Sequence, residues 1–156
     1  MLDCGLRLGE VVSLSFGSVR LSEGFLIAMG KGNKERLVPL GLSMRKLLVR
    51  YISIFPEPMI DAPLFRKGDL TPITQDTIKK LFARLKDKAK IPRLHPHLLR
   101  HTFATRYLEN GGDINSLQII LGHTSLEMVK KYVHMNRARM AIKEGYFSPL
   151  DNLPRK

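Results

Sequence analysis

The stretch HPHLLRH, residues 95–101, holds three of the chain's five histidines together with one arginine. Imidazoles this close together could ligate a metal, cap and pack a helix, or act with the arginine on a phosphate group. His97 and Arg100 lie three positions apart, so on a helix they share one face. The guanidinium can fork onto phosphate oxygens while the imidazole donates or takes a proton, which makes this pair suited to phosphate chemistry.

A metal site is the second interpretation of these histidines. His97 and His101 lie four positions apart, which is the spacing that zinc-binding helices use. However, the sequence has no acidic residue between them and no cysteine nearby, and sites of this kind draw on carboxylate or thiolate ligands as well. We therefore expect no metal and no cofactor. A capping or half-buried role is the better interpretation of His95 and His101, and it stays open for His134.

The composition favours a single globular domain with a polyanionic partner. Lysine and arginine number 26 against 14 acidic residues, a formal charge of +12, and 44% of the residues are hydrophobic. An excess of this size indicates DNA, RNA or an acidic membrane surface, because binding to phosphates releases counterions. The single cysteine, Cys4, excludes an internal disulfide. The sequence has no apolar run of ~20 residues and no signal-like leader, which predicts a cytoplasmic protein without a membrane span.

Hydrophobic spacing predicts an α+β fold that is mostly helical. The leucines and valines of residues 2–16 have helical spacing, and three short antiparallel strands follow over 19–21, 25–29 and 36–40. Further helices are predicted over 43–55, 74–89, 96–110, 114–121, 125–135 and 136–144. The helix over 74–89 should bury an apolar stripe, formed by Ile78, Leu81, Phe82, Leu85 and Ala89.

Capping residues fix the ends of the later helices. Pro96 suits the first helical position of one helix. Asp113 should cap the next helix and Gly122 should end it. Thr124 and Glu127 then form a capping-box pattern, which predicts the start of the following helix.

Five segments occur in a fixed order along the chain: CGLRLGE, GKGNKERLVPL, HPHLLRH, LGHTS and a tyrosine nine residues after His123. Together they resemble the catalytic domain of tyrosine recombinases, the integrase family that includes phage integrases and Xer-type resolvases of chromosome dimers. The resemblance extends from about Leu2 to Tyr132. It implies a DNA strand-exchange enzyme that forms a 3′-phosphotyrosyl link and needs neither metal nor nucleotide, because that link conserves the phosphodiester energy.

The resemblance implies a role for each matching residue. Arg7 and Arg100 match the two catalytic arginines, which would clamp the scissile phosphate and stabilise its transition state. Glu10 matches an acidic residue that supports the site. His97 would assist proton transfer at the nucleophile, and His123 would donate to the phosphate.

The resemblance also implies a general acid and a nucleophile. Lys31, in the turn between the second and third strands, matches the general acid for the departing 5′ oxygen, and Lys34 is an alternative in the same turn. Tyr132 matches the nucleophile. Its phenol has an ordinary pKa of about 10, so it needs a nearby base and a cationic pocket.

The expected organisation follows from the same resemblance. Residues 1–145 would form the catalytic domain and 146–156 a C-terminal tail. Family members carry an N-terminal helical domain that clamps the DNA from the opposite face, so we expect this chain to be a fragment. The expected partner is double-stranded DNA at specific recombination sites. A homo-tetramer on DNA would use the C-terminal segment over 137–142, with a monomer or weak dimer in the absence of DNA.

Three other functions fit parts of the pattern. A type IB topoisomerase uses similar chemistry but reseals the same strand, so a DNA relaxation assay would distinguish it. A non-catalytic DNA-binding module would usually have lost a site residue, whereas every matched position is intact here. A metal-dependent nuclease would lose its activity in EDTA.

We predict that DNA cleavage by the full-length protein persists in a chelator, because the histidine cluster lacks acidic and cysteine ligands. The measurement is cleavage of a DNA carrying the correct site, with and without EDTA. Complete loss of cleavage in EDTA, restored by zinc or magnesium, would return His97 and His101 to a role as metal ligands.

Overall fold

The structure, a computed structural model, describes residues 1–30, 32–55, 59–122, 129–130 and 132. Within these ranges the fold is α+β and mostly helical, as predicted. The elements are α1 (Leu8–Val12), a 3-10 turn (Phe16–Ser18), β1 (Val19–Arg20), β2 (Phe25–Met29), β3 (Glu35–Pro39), α2 (Leu42–Ile52), α3 (Gln75–Ala89), α4 (Pro96–Glu109) and α5 (Ile114–Leu121). None of the helices described is long and apolar enough to cross a membrane.

The three predicted strands form one antiparallel sheet in the order β1-β2-β3. β1 ends one residue earlier than predicted, and β3 is shifted by one residue towards the N-terminus. β2 and β3 pair along their whole length, with Arg36 opposite Ala28. Paired residues project from the same face of a sheet, and Ala28 is fully buried. The register therefore directs the Arg36 side chain towards the interior.

The helix predicted over residues 2–16 is wrong in extent, because α1 comprises only Leu8–Val12. Gly5 has a φ of +61°, and a Cβ at this position would lie 2.5 Å from the Phe103 ring on α4. A residue with left-handed backbone angles interrupts a helix, so α1 begins only after Gly5. Leu6 and Leu14 are nevertheless buried. Their spacing therefore indicated that they belong to the core, but it did not indicate a continuous helix.

Helix α3 begins as predicted, with the Thr74 hydroxyl accepting a hydrogen bond from the Thr77 backbone N–H. Its predicted apolar stripe is only partly correct. Ile78 and Phe82 are buried in a cluster with α1, whereas Leu81, Leu85 and Ala89 are exposed. Because α1 is only five residues long, it leaves the later turns of α3, which carry Leu85 and Ala89, uncovered.

Helices α4 and α5 have the ends that the capping residues predict. Pro96 is the first residue of α4, and the His95 Nδ1 accepts a hydrogen bond from the Leu98 backbone N–H at 3.2 Å. Asp113 caps α5 and Gly122, with a φ of +62°, follows its last residue. His95 is therefore a capping residue, as expected.

An apolar cluster joins α4 and α5 to the segment that carries Tyr132. Its buried members are Ala104, Leu108, Leu117, Leu121 and Val129, and Tyr132 packs against them. Val129, Lys130 and Tyr132 are helical, in agreement with the helix predicted over 125–135. The capping box at Thr124, the helix over 136–144 and the tail over 146–156 lie outside the described residues.

Candidate active site

A cleft of about 1060 Å³ opens between the start of α1, the β2–β3 turn, α4 and the end of α5. Most of the predicted site residues that the structure describes line it. They are Arg7, His97, Arg100 and Tyr132, with Lys34 at the β2–β3 turn. Lys31 and His123 lie outside the described residues, so the structure gives no position for either side chain.

Arg7 immediately precedes α1 and is held by two partners. Its Nη1 donates to Glu10 Oε1 at 2.9 Å, and its Nη2 donates to the Gly122 carbonyl at 3.1 Å. Its backbone N–H also donates to Glu10 Oε2 at 2.7 Å. The side chain remains 39% exposed, so its guanidinium is fixed in place and still accessible to a ligand in the cleft.

Arg100 lies one turn into α4 and is buried. Its Nη1 donates to the Gly5 carbonyl and lies 4.0 Å from Glu10 Oε2, while its Nη2 donates to the Leu121 carbonyl at 2.7 Å. Burial, together with the nearby positive charge of Arg7, lowers the Arg100 pKa to about 10, although Glu10 acts in the opposite direction. Arg100 is therefore a permanent cation at neutral pH, held beneath the cleft.

Arg36 is part of this cluster, although no role for it was predicted from the sequence. Its Nη1 and Nη2 donate to the two Glu10 oxygens, each at 2.8 Å, and its Nε donates to the Ile120 carbonyl at 2.7 Å. The signal that could have identified Arg36 was its place in the strand alternation. It occupies the same face of β3 as the buried Val38, and an inward-facing arginine requires an acidic partner.

Glu10 connects these arginines through one buried carboxylate. Burial acts to raise its pKa, but the hydrogen bonds from Arg36 and Arg7 outweigh burial and lower the pKa to about 2. The carboxylate is therefore charged at any pH near neutrality. Three guanidinium groups face one carboxylate, which leaves the cluster with two positive charges in excess. This surplus of positive charge suits an anionic group that accepts two hydrogen bonds at once, such as a phosphate diester.

Tyr132 lies against His101 at the side of the cleft. The two ring centroids are 4.9 Å apart and the ring planes are inclined by 51°. His101 is half-buried, as expected, but its partner is the predicted nucleophile, which the sequence did not indicate. Tyr132 is also close enough to Arg100 to influence its pKa, so the phenol lies within the field of the buried cation.

The chemistry of the remaining groups is consistent with an anion site. Among the residues that the structure describes, no three histidine, cysteine or acidic side chains lie close enough together to hold a metal ion. Cys4 is buried, and burial raises the pKa of its thiol to about 11. A thiol of this kind is a poor nucleophile at neutral pH. Tyr132, the predicted nucleophile, is among the side chains that line the cleft.

Comparison with known proteins relates the chain to recombinases. The phage integrase family matches residues 1–139. The chain is 36% identical over 141 residues to the tyrosine recombinase XerC of Pelobacter propionicus, covering 90% of this chain and 47% of that protein. It is 35% identical over 150 residues to the tyrosine recombinase XerD of Staphylococcus saprophyticus, covering 93% of this chain and 51% of that protein. The chain thus spans about half the length of these relatives.

Solved recombinase structures share the fold. The crystal structure of XerA recombinase matches with a TM-score of 0.77 and 32% identity, covering 99% of this chain and 56% of that one. The catalytic domain of bacteriophage HP1 integrase matches with a TM-score of 0.63 and 27% identity, covering 99% of this chain and 81% of that one. The site-specific recombinase XerH bound to palindromic difH substrate matches with a TM-score of 0.72 and 25% identity, covering 94% of this chain and 43% of that one. The α+β fold predicted from the sequence is confirmed by these structures.

The low pKa of Glu10 predicts a defined acid sensitivity. Its folded value of about 2 lies below the ordinary 4.5, so the stability that the carboxylate contributes is complete above pH 4.5 and is lost as the pH falls towards 2. The difference corresponds to about 3 kcal/mol of unfolding free energy. Urea unfolding followed by circular dichroism between pH 2 and 7 measures it.

Glu10→Gln should be less stable than wild type at pH 7 and should lose less stability across the acid range. The matched control is Glu23→Gln, which removes a carboxylate from an exposed turn and should preserve the wild-type pH dependence. Equal acid sensitivity of Glu10→Gln and wild type would contradict the assignment of this carboxylate as a buried counter-ion.

Proposed function

This chain belongs to the phage integrase family of tyrosine recombinases, and we propose that it forms the catalytic part of a site-specific DNA recombinase. Such an enzyme cuts and rejoins DNA through a 3′-phosphotyrosyl intermediate. The observation that carries the proposal is the single cleft in which Arg7, His97, Arg100 and Tyr132 meet. These residues come from three separate segments of the chain, and together they supply a nucleophile, a proton-transfer group and a cationic phosphate site.

Double-stranded DNA at a specific recombination site is the proposed substrate. The formal charge of +12 and the positive surplus of the cleft both favour a polyanion. XerH, which shares the fold, has been solved on its difH substrate. The proposed location is the cytoplasm, because the proposed substrate is DNA. Residues 1–145 are assigned to the catalytic domain and 146–156 to a tail.

The proposed first step is an attack on the scissile phosphate. Arg7, which is partly exposed, would contact the non-bridging oxygens, and the buried Arg100 would add its charge from beneath. The Tyr132 oxygen forms a bond to phosphorus while the bond from phosphorus to the 5′ oxygen breaks. His97, exposed at the edge of the cleft, would accept the phenol proton. The products are a 3′-phosphotyrosyl ester and a strand that ends in a 5′-hydroxyl.

The departing 5′ oxygen requires a proton. Lys31 is the proposed donor, since its position in the β2–β3 turn matches the general acid of the family. Lys34 is the alternative, because it lies in the same turn and lines the cleft. His123 would donate a hydrogen bond to the phosphate. In religation the 5′-hydroxyl of a partner strand attacks the phosphotyrosyl phosphorus, and Tyr132 recovers its proton.

Strand exchange needs several active sites on one DNA assembly. We propose a homo-tetramer on DNA in which the segment over 137–142 of each chain docks on a neighbouring protomer. In the absence of DNA the protein would be a monomer or a weak dimer. This arrangement would confine strand transfer to an assembly that already holds both DNA sites.

The nucleophile can be tested on a nicked DNA substrate that carries the correct site. The nick releases the cleaved piece, so religation fails and the covalent adduct accumulates on Tyr132 of the full-length protein. Tyr132→Phe removes only the attacking oxygen and should abolish the adduct while DNA binding is retained. Arg7→Ala and Arg100→Ala keep the tyrosine but should slow adduct formation about a hundredfold or more, since they remove charge stabilisation from the transition state.

Tyr107→Phe is the matched control, because it removes a phenol oxygen from α4 outside the cleft and should leave adduct formation unchanged. Peptide mapping identifies the attached residue. Attachment of the nucleotide to Tyr107 or Tyr146, or full activity of Tyr132→Phe, would contradict the assignment.

The assembly is tested by sedimentation velocity of the full-length protein with and without its DNA site. We expect a monomer or weak dimer without DNA and a tetramer with it. Deletion of residues 137–142 should prevent the tetramer while DNA binding by single protomers is retained. A tight tetramer that forms without DNA would contradict this proposal.

A further inference from the structure

We infer that Arg36 is a positioning residue for the proposed cleavage step, acting through Glu10 on Arg7. The inference rests on the proposed function, because it concerns the rate of the same step. The Arg36 side chain is 10% exposed, whereas that of Arg7 is 39% exposed. Both side chains line the cleft, but Arg7 presents more of its guanidinium to a ligand there, and Arg36 is largely covered.

Arg36 and Arg7 share the two carboxylate oxygens of Glu10. Its Oε1 accepts from Arg36 Nη1 at 2.8 Å and from Arg7 Nη1 at 2.9 Å. Its Oε2 accepts from Arg36 Nη2 at 2.8 Å and from the Arg7 backbone N–H at 2.7 Å. A fork of two parallel hydrogen bonds fixes the plane of a carboxylate. Arg36 thus sets the orientation in which Glu10 meets both the side chain and the backbone of Arg7.

The end of α5 is a common anchor for the three arginines. Three successive carbonyls there each accept a hydrogen bond from a different arginine: that of Ile120 from Arg36, that of Leu121 from Arg100 and that of Gly122 from Arg7. The last carbonyls of a helix have no partner within it and carry the negative end of its dipole. Arg36 therefore ties Glu10 to the same helix end that holds both proposed catalytic arginines.

Gly122 packs closely on Arg36. A Cβ at Gly122 would lie 3.0 Å from Arg36 Cδ and 3.1 Å from its Nε, and the φ of +62° disfavours any side chain here. The absence of a side chain at this position lets Arg36 approach the end of α5. His123 follows Gly122 in the sequence, so the same contact adjoins another residue of the proposed site.

Removal of Arg36 would release this arrangement. Glu10 would keep its hydrogen bonds to Arg7 and its longer ion pair with Arg100, but it would lose the fork that fixes its plane, so the carboxylate could turn and the Arg7 guanidinium would move with it. A shift of about 1 Å in a catalytic group can slow a reaction about a hundredfold. Lysine retains the charge but cannot form the fork, so Arg36→Lys separates the effect of geometry from the effect of charge.

The test is a double-mutant cycle on the full-length protein, with Arg7→Ala, Arg36→Gln and the double variant. The single-turnover rate of covalent adduct formation on the nicked substrate and the DNA dissociation constant are measured. We expect Arg36→Gln to slow adduct formation about a hundredfold while DNA affinity changes less than about threefold. In the Arg7→Ala background it should add less than about threefold, because a residue that acts through Arg7 has nothing left to position.

Arg36→Lys covers the case in which Arg36→Gln does not fold, since it keeps the buried charge; a slowed rate with a native circular dichroism spectrum supports the inference. The matched control is Arg66→Gln. Arg66 is also a half-buried arginine whose Nε donates to a carbonyl, that of Pro63 at 2.9 Å, and its replacement should leave the rate unchanged.

Two results would overturn the inference. One is a wild-type rate of adduct formation by Arg36→Lys. The other is an Arg36→Gln effect that is as large in the Arg7→Ala background as in the wild type, which would mean independent action. If the wild-type protein formed no adduct at all, the proposed function itself would be contradicted, so the two failures are distinguishable.

Discussion

The arrangement of the site depends on the ion pairs that the Glu10 carboxylate forms with the surrounding arginines. Guanidinium groups gathered in one small volume repel one another, and burial removes the water that would screen them. Glu10 accepts hydrogen bonds from Arg7 and Arg36 and lies 4.0 Å from Arg100. Its pKa of about 2 keeps it charged at physiological pH. One anion thus allows three cations to remain together, and their surplus charge is presented to the cleft.

Apolar packing determines where this polar cluster lies. The carbonyls of residues 120–122 anchor the arginines, and α5 owes its position to Leu117 and Leu121, which are fully buried against α4. Tyr132 packs on the same apolar cluster. The position of α5 therefore determines the positions of both the predicted nucleophile and the cations, and a change in the packing of α5 would shift both. Close-packed interiors transmit such shifts because they contain few voids that could absorb them.

Local signals in the sequence determined the limits of several helices and strands and the family of this protein. Asp113 and Gly122 bound α5 as predicted, because a cap depends on residues within one turn of it. β2 spans Phe25–Met29 as predicted, because its limits are set by adjacent turns. The order of the motifs identified the family, which comparison with known proteins confirms. The roles of the individual site residues, including Lys31 and His123, stay predictions.

Only the tertiary structure decided how far α1 extends, which part of α3 is covered, and which residues support the predicted site. Gly5, which is left-handed and lies against Phe103 of α4, precedes α1, and its close approach to Phe103 joins distant parts of the chain. Arg36 and Glu10 are 26 positions apart, and Arg7 and Gly122 are 115 positions apart. Periodicity and capping describe interactions between near neighbours in sequence. A buried ion pair depends on which surfaces meet after folding, and for that reason Arg36 was recognised only in the folded chain.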